Sequence, residues 1–484
     1  MVRFAGPKSL VTESLRHRSF AVRYLTLFGG ETFSKVCVMA AFAYLTRVLS
    51  PGDYGTVEWA LAVTVFFVLG VESGMGLYGA RVVAAAPERI AQLVPQIMLL
   101  RVILGVPAFA LLLAVSARYR VTGLGILAVN GIAVLLTPLL TQWVFQGLRQ
   151  MQWVAAGTAL RNFTFVALIT LLVRPGADIR LVALAEVAGI AVLAAFSTFV
   201  LRRWVRVRLD WRDVVAGTRR VFRDVWFMGF SDFTWATLWY SPALIIKWLG
   251  GSEEVAWIGS SVRVVLALHT YVFLYFFNML PNMARDLATS VDEWRALIAR
   301  SMTNTVWPAC LCGLGGTLIA PVLMPTVFGP PYATAVRPFQ VAIWMIPVAW
   351  FSGHFRFSLI AAGQQRWEFA ASAGSAVVTV ACALVFGRAY GSFGAAIALL
   401  SGGIANTVLA MIASHRVIGP VPIAAGTISA LATTAICLGI GLFVTQAAGA
   451  LAGAVAGCAV FVVVAAQHDN ELVRLVRGAI RARR

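Results

Sequence analysis

The chain has 484 residues, of which 60% are hydrophobic and 12% charged, and its formal net charge is +19. So little polar surface cannot cover a water-soluble fold, and the basic residues, nearly all Arg scattered between apolar runs, have the pattern of topology-setting loop ends, which excludes nucleic acid as a partner. The longest polar stretch, Arg202 to Arg223, is too short to bury a core, which excludes a separate soluble catalytic domain.

Apolar runs of about 20 residues, each able to cross a hydrocarbon core of about 30 Å as a helix, follow one another along the chain. They predict spans at 21–49, 54–80, 92–116, 121–146, 152–173, 179–201, 223–249, 255–280, 296–322, 335–361, 367–387, 393–414, 421–445 and 448–466. The expected fold is an all-α membrane protein of about fourteen transmembrane helices. Residues 1–20 form a basic cytoplasmic N-terminal segment, and the run that follows continues for nearly thirty residues, so it is expected to be a retained span. A six-helix bundle (21–201), a basic cytoplasmic connector (202–222) and a second six-helix bundle (223–414) come next. Two additional transmembrane helices (415–466) and a basic cytoplasmic tail (467–484) complete the chain.

With both termini cytoplasmic, the inside segments collect Arg81, Arg89, Arg149, the cluster from Arg202 to Arg223, Arg285, Arg295, Arg300, Arg366, Arg416 and the tail. The outside segments keep Arg47, Arg118, Arg120, Arg174, Arg180, Lys247, Arg337 and Arg388. That asymmetry orients a multi-pass protein in the inner (plasma) membrane. An offset of 201 maps Glu31 onto Asp232 and Gly55 onto Ala256, which predicts a parallel pseudo-repeat of the two bundles.

Several motifs recur in a family-like order. Gly29-Gly30-Glu31-Thr32-Phe33-Ser34-Lys35 is followed by Leu49-Ser50-Pro51-Gly52-Asp53-Tyr54-Gly55, and then by the stretch from Glu72 to Arg81. Further on come Phe328-Gly329-Pro330-Pro331-Tyr332-Ala333-Thr334-Ala335 and Ala361-Ala362-Gly363-Gln364-Gln365-Arg366. In this order and spacing the chain resembles the Wzx-like oligosaccharide flippases, or polysaccharide biosynthesis proteins, of the multidrug/oligosaccharidyl-lipid/polysaccharide (MOP) exporter superfamily. The resemblance implies a transporter that moves undecaprenyl-pyrophosphate-linked oligosaccharide from the cytoplasmic to the outer leaflet by alternating access. It also implies membrane lipids as partners and, beyond them, a polysaccharide polymerase and export machinery.

Charges inside spans are the most informative residues, because each costs about 2.5–3.5 kcal/mol at the bilayer centre when it faces lipid. Lys35 and Arg263 are the leading candidates for a cationic cavity formed by spans one, two, seven and eight, with Arg101, Arg161 and Arg356 as further substrate-binding candidates. Arg offers bidentate donors and Lys a compact charge to a phosphate that must be held and released. The competing reading pairs Lys35 with Glu31 and Arg263 with Asp232 as bundle glue, and lets Arg101 and Arg161 snorkel. Glu31, Asp232, Glu72 and Glu186 are ion-coupling candidates, since a buried carboxylate can take up and release a proton.

His269 and His354 read first as packed, hydrogen-bonded imidazoles, and Trp235 is a sugar-stacking candidate. The run Gly74-Met75-Gly76-Leu77-Tyr78-Gly79 matches a dinucleotide fingerprint in letters but has no strand before it. The spacing of His, Cys, Asp and Glu predicts neither a catalytic site nor a metal, and no cofactor is implied. A multidrug/cation antiporter of the same superfamily is the alternative function, and a membrane polymerase or glycosyltransferase ranks below it.

Overall fold

The computed structural model describes residues 32, 34–118, 124–205, 210–423 and 425–467, and they are helical throughout apart from turns and short connections. Glu31 lies outside the described residues. The helices are α1 (34–48), α2 (Pro51–Glu72), α3 (Met75–Ala85), α4 (Ile90–Arg118), α5 (Leu124–Leu136), α6 (Gln142–Gly147), α7 (Met151–Leu172) and α8 (Arg180–Trp204). They continue with α9 (Trp211–Leu249), α10 (Ser252–Thr289), α11 (Val291–Phe328), α12 (Val336–Ala342), α13 (Met345–Ala361), α14 (Gln365–Val417), α15 (Ala425–Ala448) and α16 (Ala450–Gln467).

Among the described residues, nine helical stretches are long and apolar enough to cross a membrane. One of them, Gln365–Val417, contains two of the expected spans in a single helix that bends at Gly391. Large apolar side chains such as Phe163, Val377, Ile436, Phe443 and Val455 stand exposed on these helices, as hydrocarbon rather than water requires. The result is a multi-pass membrane protein.

Several expected spans are broken or shifted. The span expected at 54–80 is interrupted at Ser73 (φ 42°) and Gly74 (φ 72°), two successive left-handed residues that end α2 and start α3. The span expected at 121–146 divides at the 3₁₀ turn Thr137–Leu139, where Pro138 cannot continue the helical ladder. The span expected at 335–361 divides at Ile343–Trp344, between α12 and α13. The connector expected over 202–222 is partly helical: α8 runs on to Trp204 and α9 begins at Trp211, where Asp210 accepts the N–H of Arg212 at 3.0 Å.

The chain forms two compact units, Met1–Phe233 and Thr234–Arg484. In the first, α3, α4, α6, α8 and the start of α9 close over Met75, Ile97, Leu100, Trp143, Phe145, Val200 and Val225. Here α3 and α6 cross at glycine: a Cβ on Gly79 would stand 2.4 Å from the Trp143 ring, and one on Gly147 2.7 Å from the Ala80 carbonyl. In the second, α10, α11 and α13–α16 pack around Met283, Trp294, Met302, Leu314, Phe355, Cys437 and Phe461. The offset of 201 reappears in the helix starts. It pairs Pro51 of α2 with Ser252 of α10, and Ile90 of α4 with Val291 of α11.

Candidate functional site

In a bilayer every backbone polar group freed by a broken helix must find a protein partner. The first unit meets this demand with two of the intramembrane charges. Glu72 is the last residue of α2, and its Oε1 accepts the N–H of Gly76 at 2.8 Å, so it caps the exposed start of α3. Its Oε2 lies 2.5 Å from Nη2 of Arg101 on α4. Arg101 is only 1% exposed, and its Nη1 donates to the carbonyls of Leu140 (2.8 Å) and Thr137 (3.2 Å). The Leu139 carbonyl between them accepts from Ser197 and Thr198 of α8, both at 3.3 Å. One guanidinium therefore joins two helix breaks, and it does so buried; Arg101 does not snorkel.

The other charges of this unit sit nearby. Arg161 on α7 pairs with Glu186 on α8, and both are partly exposed. The Asn162 side chain donates to Ser34 Oγ at 2.5 Å, and the Tyr44 hydroxyl donates to the Val173 carbonyl at 2.8 Å, tying α1 to the middle of α7 and to the residue that caps its end. Lys35 follows Ser34 on α1 and is half-buried, with interactions of its own. Asp232, half-buried on α9, is within electrostatic reach of Glu72. Phe233 beside it packs against Phe66, with ring centroids 6.2 Å apart, and Gly229 lies where a Cβ would be 3.0 Å from the Ser73 backbone. The helix break at Ser73–Gly74 is thus flanked by two carboxylates and one arginine.

In the second unit, Arg356 of α13 donates through Nε (3.0 Å) and Nη2 (2.5 Å) to Oε1 of Glu368 on α14, which also accepts from Ser372 at 3.1 Å. Glu368 was not among the expected intramembrane charges, because it stands at the edge of an apolar run beside Arg366 and looks like a loop end. Its spacing of twelve residues from Arg356 across a turn was the available signal. Arg263 is half-buried on α10 and has interactions of its own.

His354 is fully buried and shares a 2.9 Å hydrogen bond through Nε2 with Ser301 Oγ, which is 2.8 Å from the Tyr275 hydroxyl. His269 lies 4.8 Å, centroid to centroid, from the Trp239 ring, and Trp235 packs in the same aromatic group, 6.5 Å from Trp239 and 6.1 Å from Tyr240. Glu254, in the first turn of α10, was likewise missed as a partner; its Oε2 accepts the Ser392 N–H at 2.6 Å, at the bend of α14.

Three of the five candidate cations, Arg101, Arg161 and Arg356, are therefore held in ion pairs inside their own unit. Such a pair costs desolvation and recovers it through charge-assisted bonds, so its secure role is to join helices.

The family model described as "Polysaccharide biosynthesis protein" matches residues 24–286, more than half of the chain. A protein of Escherichia coli (strain K12) named "Putative O-antigen transporter" is 23% identical over 336 residues, covering 65% of this chain and 76% of that one. Among solved structures, "Lipid II flippase MurJ, inward closed conformation" superposes with a TM-score of 0.70 at 12% identity, covering 90% of this chain and 97% of MurJ. An inward-facing multidrug resistance MATE family transporter of the MOP superfamily gives a TM-score of 0.65 at 13% identity, covering 83% and 95%. At such identities the structures share the fold.

Proposed function

The chain belongs to the polysaccharide biosynthesis protein family, and from that premise we propose that it flips an undecaprenyl-pyrophosphate-linked oligosaccharide from the cytoplasmic to the outer leaflet by alternating access. The observation that carries this reading is the family match itself, joined by the likeness to an O-antigen transporter over most of that protein's length. The MurJ likeness adds a fold that serves a lipid-linked cargo. The work is transport, not bond making, in the inner membrane with both termini cytoplasmic.

Lys35 in the first unit and Arg263 in the second are the proposed holders of the diphosphate. Each is a half-buried cation on a helix of the membrane domain, and each has interactions of its own. Among the carboxylates, Asp232 is the proposed ion-coupling group, with Glu31 its counterpart in the repeat. Glu72 and Glu186 are engaged by arginines, which makes them the secondary choices.

Proteoliposomes loaded with a labelled undecaprenyl-pyrophosphate oligosaccharide test this function. Wild type is expected to move the lipid between leaflets, and Arg263→Ala to slow it about tenfold or more, the equivalent of losing one charge-assisted hydrogen bond. Efflux of a cationic dye without lipid movement would favour the antiporter. Full lipid transport by Arg263→Ala would remove that residue from the binding site.

A further inference from the structure

The first stretch of α9 divides into three sectors. At about 100° per residue, Val214, Gly217, Thr218, Val221 and Val225 share one face, and all are buried. That face is seated on α4, where the Thr218 hydroxyl donates to the Gln96 carbonyl at 3.1 Å and Gly217 leaves room for the Gln96 side chain. A second face carries Trp211, Val215, Phe222, Trp226 and Phe230, each between 49 and 64% exposed. Beside it, on the third, stand Arg212, Arg219, Arg220 and Arg223, all exposed.

The end of α8 repeats the theme: Arg202, Arg203 and Trp204 are exposed, and the Arg203 guanidinium lies 4.3 Å from the centre of the Phe199 ring. The acidic residues of this corner are in part engaged elsewhere. Asp210 caps the start of α9, while Asp224 accepts from the Tyr78 hydroxyl at 3.2 Å and also lies 3.9 Å from Arg223 Nε. Asp213 is exposed, so the four arginines outnumber the two carboxylates nearest them.

A helix with one face on protein, one apolar face exposed and arginines along the far edge of that apolar face has the composition of an element lying where acyl chains meet headgroups. Water would be a poor neighbour for the exposed Trp and Phe, and pure hydrocarbon for the arginines. We propose that this α8–α9 corner is a docking surface for acidic phospholipid headgroups, with the arginines on the phosphates and the aromatic stripe among the acyl chains. The surface is separate from the residues assigned to the diphosphate and does not depend on that assignment.

The test uses the full chain in neutral detergent, with retained lipid read by intact-complex mass spectrometry in competition between phosphatidylglycerol and phosphatidylcholine. Wild type is expected to retain phosphatidylglycerol preferentially at low salt. Because each basic residue near an anionic surface contributes about fivefold, R212Q/R219Q/R220Q/R223Q is expected to lower that preference by about tenfold or more. Equal retention of both lipids by wild type, or an unchanged preference in the variant, overturns the proposal.

Should the variant lose its fold, as read by its unfolding midpoint, wild type in 0.5 M NaCl provides the second measurement. Screening at that salt shortens the reach of charge to about half its value at 0.1 M, so the preference should fall by about tenfold. Its persistence would equally overturn the surface.

Discussion

Arg101→Met is expected to destabilise the protein by about 3–5 kcal/mol, the usual cost of removing one partner of a buried ion pair. The substitution keeps most of the side-chain volume, so a cavity accounts for little of the loss. What it removes is the donor to three oxygens at once: Glu72 Oε2 and the carbonyls of Leu140 and Thr137. In a hydrocarbon environment those carbonyls have no water to turn to. The double variant Glu72→Gln/Arg101→Met should recover part of the loss, because the stranded carboxylate disappears while the glutamine oxygen still accepts the Gly76 N–H. Heat-inactivation half-lives in a mild detergent distinguish these outcomes. A single variant as durable as wild type would show that the two helix breaks hold without their arginine.

Replacing Gly391 should be nearly as damaging, for a different reason. Its backbone (φ 58°, ψ −134°) lies in a region that L-residues scarcely populate, a strain of about 1–3 kcal/mol for any side chain. A Cβ there would also stand 2.7 Å from the Glu254 carboxylate and displace it from the Ser392 N–H. That charge-assisted bond is worth about 1.5–3 kcal/mol more. Gly391→Ala should therefore cost clearly less when Glu254 is already Ala, since only the backbone part remains to be lost. If thermal midpoints show the two substitutions to be additive, the carboxylate is not held by the bend.

The helices were legible because an apolar run of about 20 residues has one main use in a membrane protein, and the offset of 201 read from Glu31 and Asp232 also relates the helix starts Pro51 with Ser252 and Ile90 with Val291. The breaks were half legible. Gly74 and Pro138 mark places where a helix tolerates interruption, and Pro347 follows the break at Ile343–Trp344, yet Pro107, Pro242 and Pro308 also lie in spans and their helices continue through them. What separates the two cases is whether side chains from other helices arrive to bond the freed carbonyls, as Arg101, Ser197 and Thr198 do. That is a tertiary fact with no local signature.

Ion pairing was illegible for the same reason. Glu72 and Arg101 are separated by a whole helix, so the one was read as an ion-coupling candidate and the other as a substrate-binding candidate, whereas Glu368 looked like a surface residue until its bond to Arg356 was seen. The start of α9 was misjudged because its many arginines imitate a loop, although its exposed aromatics recur on one helical face.

The buried contact between Ser301, Tyr275 and His354 sets a rule of proton arithmetic. A serine hydroxyl owns one hydrogen, and both neighbours, at 2.8 and 2.9 Å, must share what it offers. If that hydrogen points at the imidazole, Nε2 is the bare nitrogen and the phenol must be the giver to serine; if it turns the other way, Nε2 has to carry its own. The tautomer of a histidine on α13 is thus coupled through one hydroxyl to a phenol on α10, and Tyr275→Phe would leave the serine hydrogen to the imidazole and to the Met279 sulfur, 3.4 Å away.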